Sequence, residues 1–301
     1  MPATRIQLTD DLSFSTLIHG YWRLTEWGYT DKQVEELLMK GVDLGVTTID
    51  HADIYGDYEC EAAFGKVLRD NPGLRDKIEL VSKCGIMLKS DKFPDRYVKY
   101  YDYSYNHIVQ SVENSLSNLK TDRLDALLLH RPSPIYDPQA VARAFEDLKA
   151  SGMVRYFGVS NFTPQQTETL QSYCSDKLIT NQIEISVASL EHFENGNIDY
   201  LLQQRMHPMA WSPLAGGKLF GPKVKDYVDL LEVMTKVGRR METDIVGVMY
   251  AWLFKHPVGI MPIIGSSRMD RVEEAVNALE LEMSDQDWFL IYQSTLGHEV
   301  P

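Results

Sequence analysis

A chain of 301 residues with 44% hydrophobic and 10% aromatic side chains can bury a full core, as two average domains or as one large α/β barrel. Its formal net charge of −13 argues against long nucleic acids, whose affinity rests on Lys and Arg neutralising phosphates, but leaves room for a small anionic cofactor in a local cationic pocket. Three cysteines (Cys60, Cys84, Cys174) without a pairing framework, no leader-like N-terminus and no apolar run of about 18 residues point to a cytoplasmic protein with no membrane partner.

Residues 5–13 alternate apolar and polar around Asp10-Asp11 and suggest a small N-terminal hairpin. Residues 17–20 read as a buried strand ending at Gly20, followed by Tyr21-Trp22. Asp31 is positioned to cap a helix with Val34, Leu37, Leu38 and Val42 on its apolar face, stopped by Gly45. The β-branched run 46–49 is the next strand; Asp50, His51, Asp53 and Tyr55 follow within six positions, and Gly56 breaks the run before a helix over 59–68. Residues 78–82 form a strand with Lys83 at its end. The Lys- and Tyr-rich stretch 84–103 reads as a long loop, either lining a substrate pocket or standing exposed, before a helix over 104–120.

The alternation continues. Strand 124–129 ends in His130-Arg131-Pro132, and Asp137-Pro138 opens a helix stopped near Gly152. Strand 154–159 ends in Ser160-Asn161, and Thr163-Pro164 begins the next helix. Strand 179–183 carries Gln182; an irregular stretch and a short helix, 198–204, precede strand 208–211, which ends in Trp211. After the loop 212–222 come helices over 227–240 and 244–255, strand 260–264 ending in Gly265-Ser266-Ser267, a helix holding Val272 to Leu279, and a final helix over 284–294.

About eight aliphatic strands, nearly all followed by a helix, with no linker or shift in composition, fit a single (β/α)8 barrel domain over 1–301 with an N-terminal hairpin and extra helices. The rival, a doubly wound sheet, announces its cofactor by a glycine-rich turn after the first strand, and no GxGxxG occurs there. In barrels of this kind, chemistry occupies the C-terminal ends of the strands. An unpaired Lys83 at such an end is expensive, and Asp50 at the neighbouring one is its natural counter-ion. A tyrosine beside that ammonium is expected to have its pKa drawn down from about 10. With His130, these groups form a proton-donating site for an oxygen that becomes negative, as carbonyl reduction requires once a hydride reaches the carbon. The protein has no hydride of its own, which implies a nicotinamide cofactor, with Trp211 to stack on its ring and Ser160, Asn161 and Gln182 to hold its carboxamide.

The motifs IDHADIYGDYECEAAFG (49–65), VSKCG (81–85), LLLHRP (127–132), GVSNF (158–162), AWSPLAGG (210–217) and PIIGSSRMDRVEEAV (262–276) resemble, in this order, those of the aldo-keto reductase superfamily. The ending LGHEVP (296–301) is similar to that of a bacterial branch of predicted oxidoreductases. The resemblance implies a catalytic tetrad of Asp50, Tyr55, Lys83 and His130, with Tyr55 as general acid, and an NADPH (NADP+) site. Gly20, Tyr21 and Trp22 would approach the ribose and substrate; Ser212, Leu214 and Lys218 would cover the pyrophosphate; Gly265, Ser267 and Arg271 would grip the 2′-phosphate and Glu274 the adenine. Two departures stand out: Ala275 where the family often has Asn, and Gly265-Ser266 where some branches place a lysine. The preference for NADPH therefore rests on Arg268 and Arg271, because a 2′-phosphate wants a planar cationic partner.

Two other readings use the same residues. Asp50, His51, Asp53 and His130 could be recruited as metal ligands, although strand faces alternate and Asp50 and His51 should not point the same way. A barrel that binds NADP(H) as a regulatory or sensor subunit, without turnover, is the alternative function. The substrate, a small carbonyl compound, and the oligomeric state are not legible.

Overall fold

The computed structural model describes residues 3–222 and 224–301. Eight parallel strands close into a barrel in sequence order: Ile18–Gly20, Thr48–Asp50, Glu79–Cys84, Leu124–Leu129, Val154–Ser160, Asn181–Glu184, Met209–Trp211 and Met261–Ile264. The eighth returns to the first through Ile263 opposite Ile18 and Ile264 opposite His19. This is the expected (β/α)8 architecture.

The pleat decides what faces inward. Side chains two apart share a face, so a strand that packs Val81 into the barrel interior also sends Lys83 there. The same parity links Leu128 to His130 and Met209 to Trp211. The interior is filled at its lower end by Ile18, Val81, Ala126, Leu128, Met209, Met261 and Ile263, and Leu12 and Phe14 from the N-terminal hairpin (Arg5–Gln7 with Ser13–Ser15) close it from below. A second, larger apolar layer lies between strands and helices. With its lower half filled by hydrocarbon, the barrel keeps its polar groups at the upper rim.

Several boundaries move. Thr30, not Asp31, is the N-cap of helix Asp31–Asp43; its side chain accepts from Gln33 N and forms a capping box, which a carboxylate one position later cannot do. Lys83 lies inside the third strand rather than after it, because pairing with Leu128 carries the ladder on to Cys84. Stretch 84–103 is not irregular throughout: Ile86–Met87 and Tyr100–Tyr101 pair antiparallel, making a small hairpin beyond the third strand. Among the described residues, no helix is long and apolar enough to cross a membrane.

Candidate active site

At the rim, the second and third strands run side by side with Asp50 opposite Val81, which puts Lys83 one step beyond Asp50 on the same inner face. The Lys83 ammonium is fully buried and donates to Asp50 Oδ1 at 2.7 Å, to the His51 carbonyl at 2.7 Å and to the Tyr55 hydroxyl at 2.9 Å. All three donor positions of an ammonium are thereby used, the condition under which a buried cation is tolerable. Gln182, from across the barrel, donates to the same Asp50 oxygen at 2.8 Å.

Tyr55 reaches this group because the chain turns sharply after it. Gly56 and Asp57 both adopt left-handed backbone (φ 58° and 52°) before helix Cys60–Asp70 begins. A Cβ at Gly56 would lie 2.5 Å from both Cys60 Sγ and Thr25 Oγ1, so only glycine fits the turn. The Tyr55 hydroxyl donates to Asp50 Oδ2 over a long 3.4 Å, and its ring meets His130 edge to face at 5.9 Å.

The electrostatics differ from expectation at one point. Burial, followed by the Asp50 carboxylate, pushes the Tyr55 phenol well above its usual range; the ammonium does not draw it down. Burial likewise lowers Lys83, opposed by Asp50. Burial, with the positive fields of Lys83, Arg131 and Lys99, holds His130 well below the ordinary histidine range. The rim therefore presents a protonated phenol and a neutral imidazole, whose Nδ1 is buried without a hydrogen-bond partner among the described residues.

Asp50 and His51 diverge, as alternation requires. His51 turns to the outer layer, stacked on Tyr21 at 5.5 Å and edge-on to Phe64, with neither ring nitrogen hydrogen-bonded among the described residues. The four polar residues at 50–55 thus separate into a pair at the site, Asp50 and Tyr55, and a buried pair behind it, His51 and Asp53.

On the opposite side of the rim, the fifth to seventh strands join their polar ends into a belt. Ser160 Oγ donates to the Gln182 carbonyl at 2.8 Å, Asn161 Nδ2 to Ser160 Oγ at 2.8 Å, and Trp211 Nε1 to Asn161 Oδ1 at 2.9 Å. Asn161 takes φ 62° to do so.

A profile of the Aldo/keto reductase family matches residues 16–294. The chain belongs to the aldo/keto reductase family. It is 49% identical to the uncharacterized oxidoreductase YcsN of Bacillus subtilis (strain 168), over 99% of both chains. It is 41% identical to a 6-dehydroglucose reductase of Agrobacterium fabrum, over 98% of this chain and 99% of the relative. Among solved structures, an aldo/keto reductase from Klebsiella pneumoniae in complex with NADP and acetate superposes with a TM-score of 0.77 at 25% identity, over 99% of this chain and 96% of the other. The chain is thus an NAD(P)H-dependent carbonyl reductase.

For an aldo/keto reductase, the remaining rim residues form an uneven cradle. After the seventh strand, Ser212, Ala215, Gly216 and Gly217 all take left-handed backbone, with the N–H groups of Ala215 and Gly217 turned back onto the Ser212 and Leu214 carbonyls, and the exposed Lys218 follows; Leu214 is half-buried beneath. Trp211, pinned at its ring nitrogen, stays half-buried, which leaves ring surface to stack on. A pinned ring face beside an exposed ammonium fits a dinucleotide. Behind the eighth strand, loop 265–267 is tied to the first: His19 Nε2 donates to the Ser266 carbonyl at 2.9 Å and the Tyr29 hydroxyl to that of Ser267 at 3.1 Å. Trp22 is 45% exposed and lies close over Gly265, where an added Cβ would sit 3.2 Å from its ring nitrogen.

Three expected contacts are otherwise engaged. The Tyr21 side chain is fully buried between His19, Trp27, His51 and Phe64, so Tyr21 and Gly20 can meet a ligand only through backbone. Arg268 is ion-paired with Asp270 two residues on, so of the two arginines only Arg271, exposed on the same helix turn, is unpaired among the described residues. Glu274 shares a hydrogen bond with Asp244, and burial together with that carboxyl raises its pKa. Sequence position gives His19 only a faint signal, one residue before Gly20, and it reads Glu61 as an acid favouring a helix N-terminus, whereas Glu61 is buried and accepts from Ser82 Oγ at 2.6 Å.

Proposed function

We propose that this chain reduces an aldehyde or ketone to an alcohol using NADPH, with Tyr55 as the general acid. The observation that carries the reading is the three-way contact of Lys83 with Asp50 and Tyr55 beside a neutral His130. Ser160, Asn161 and Gln182 would hold the nicotinamide end with Trp211 beside it, the Ser212–Lys218 turn would take the pyrophosphate, and Gly265, Ser267, Arg271 and Arg268 would take the 2′-phosphate. When bound, NADPH supplies the hydride.

The protein's own residues handle the proton. His130, neutral, donates one N–H to the carbonyl oxygen and orients it. The Tyr55 hydroxyl leaves its long bond to Asp50 Oδ2 and turns to the same oxygen; at 3.4 Å that bond is cheap to give up. As negative charge develops on the oxygen, Tyr55 releases its proton, and the phenolate left behind sits 2.9 Å from the Lys83 ammonium, which Asp50 holds in place. The raised phenol pKa keeps the acid loaded at neutral pH, and Lys83 stabilises its conjugate base only during the step.

Tyr55→Phe should reduce kcat for a good carbonyl substrate by about 10²- to 10⁴-fold, the range of a general acid, with NADPH affinity nearly unchanged by fluorescence titration. Wild-type turnover in that variant would remove Tyr55 from the role. NADPH binding by the native chain with no turnover over a broad panel of aldehydes, ketones, quinones and sugars would favour the sensor reading instead.

A further inference from the structure

On the loop after the third strand, two cations are already occupied. Lys92 pairs with Glu59 at 2.6 Å, and Arg96 donates to the Tyr58 hydroxyl at 2.8 Å and lies 3.6 Å over Phe93. Arg131 and Lys99 are different: no ion pair engages either among the described residues, in a chain with a net charge of −13. Both act on His130, and their positive fields contribute to holding that imidazole neutral.

Arg131 is also held in place. The Tyr103 hydroxyl donates to the Arg131 carbonyl at 2.6 Å and accepts from the Arg131 N–H at 3.0 Å. Tyr103 is 3% exposed and fills the space over Gly85, where a Cβ would come within 1.9 Å of its ring. Gly85, at φ 103°, thus lets a buried tyrosine clamp the residue that follows His130. From there the guanidinium lies 5.7 Å from the centre of the Trp211 ring. Lys99 comes from a separate element, on the arm of the hairpin just before Tyr100–Tyr101.

The cofactor's phosphates do not account for these two cations. Arg131 follows the fourth strand, four places round an eight-stranded barrel from the eighth, whose loop carries Arg268 and Arg271. The loop after the seventh strand has its own exposed cation in Lys218.

We propose that Arg131, assisted by Lys99, receives an anionic group on the carbonyl substrate, a carboxylate, phosphate or sulfonate carried within a few bonds of the reacting carbon. A guanidinium fork matches such groups through two parallel N–H donors, and Lys99, whose positive field also reaches His130, adds a second cation. The inference rests on the reductase reading above and names its substrate class.

The test compares matched substrates with NADPH on the full chain: 4-carboxybenzaldehyde against methyl 4-formylbenzoate, and glyceraldehyde 3-phosphate against glyceraldehyde. The first pair reads a carboxylate and the second a phosphate. In at least one pair the charged member should have a kcat/KM about tenfold or more above the neutral one, carried by KM, as a charge-assisted contact predicts. Arg131→Gln should bring that ratio to about one, and Lys99→Gln should lower it about twofold, an effect that fades at high salt. Benzoate, which cannot be reduced, provides a readout free of turnover: its calorimetric Kd in the NADPH complex should rise about tenfold in Arg131→Gln. A wild-type ratio near one in both pairs overturns the subsite, as does an Arg131→Gln variant that slows both members equally and binds benzoate as before. Reduction of neutral carbonyls in either case leaves the reductase reading standing. If no carbonyl of any kind is reduced, that reading falls and takes the subsite with it.

Discussion

The floor and the outer rim of the site are built on opposite principles. At the floor, Asp50, Lys83 and Gln182 come from three barrel strands, are almost wholly buried and satisfy one another within 2.7–2.8 Å. At the rim, Arg268, Arg271 and Lys218 stand on loops and helix ends, exposed to solvent, and Arg268 is spent on a neighbouring aspartate. Strand pairing fixes the floor before any ligand arrives, whereas the rim has contacts to exchange when one does. Preorganisation belongs where charge develops in the reaction, and adaptability where a flexible dinucleotide must be gripped and released.

If that division holds, damage at the floor should be severe in both stability and turnover. Lys83→Met leaves Asp50 buried without its ammonium and removes the cation beside Tyr55. Loss of one partner of a buried pair costs about 3–5 kcal/mol. Urea unfolding should show a fall of that size, and kcat should drop by about 10²- to 10⁴-fold as the phenolate loses support. A variant that kept wild-type stability would mean that the pair is not the strut its geometry suggests.

The contrast also governs what could be read in the sequence. That Asp50, Lys83 and His130 face one interior was legible because each lies at or next to the end of a strand whose apolar residues fix its face: Val81 in the interior commits Lys83 to the same side. Tyr55 was legible because Gly56 marks the turn that presents it. What escaped is what depends on distant partners. Gly85 reads as a loop glycine until Tyr103, eighteen residues later, is seen to occupy its missing side chain. Tyr21 carried an expected ligand contact, but the neighbouring aromatic rings of Trp27 and Phe64 claim it for the core. The phenol pKa was misjudged for a related reason. The opposing charges of Lys83 and Asp50 were both visible, but the extent of burial, the largest cause of the rise, was not.

The buried histidines beside the floor sharpen the comparison through pH. Burial lowers His19 from 6.5 to about 4 and His51 from 6.5 to about 3. Below pH 6.5 the unfolded chain protonates these rings and the folded chain does not, so stability is lost as pH falls, until the folded pKa is reached. At pH 5 each ring accounts for a loss of about 2 kcal/mol relative to pH 7.5. Asp53 and Glu61, raised by burial, act in the opposite sense, taking up protons in the folded state first and gaining stability over part of the same range. The clean observable is therefore a difference. His51→Leu should lose less stability than wild type between pH 7.5 and 5, by about 2 kcal/mol in urea titrations. Identical losses in the two proteins would mean that His51 is solvated or charged in the fold.

The gentlest test is at the rim, where an ion pair engages a residue proposed to receive the 2′-phosphate. Arg268 gives its guanidinium to Asp270, and both side chains are about 60% exposed. An exposed pair of this kind is weak and screened by salt, so NADPH can displace it, but the displacement subtracts from affinity. Asp270→Asn removes the competitor and one negative charge beside the 2′-phosphate position. NADPH should then bind about two- to fivefold more tightly at low ionic strength, with the gain shrinking as salt is added. NADH, which lacks the phosphate, should change by less. A gain equal for both cofactors would place the effect in the general field of the rim rather than in Arg268. No change for either would mean that Arg271 alone serves the phosphate and that the Arg268–Asp270 pair persists when NADPH is bound.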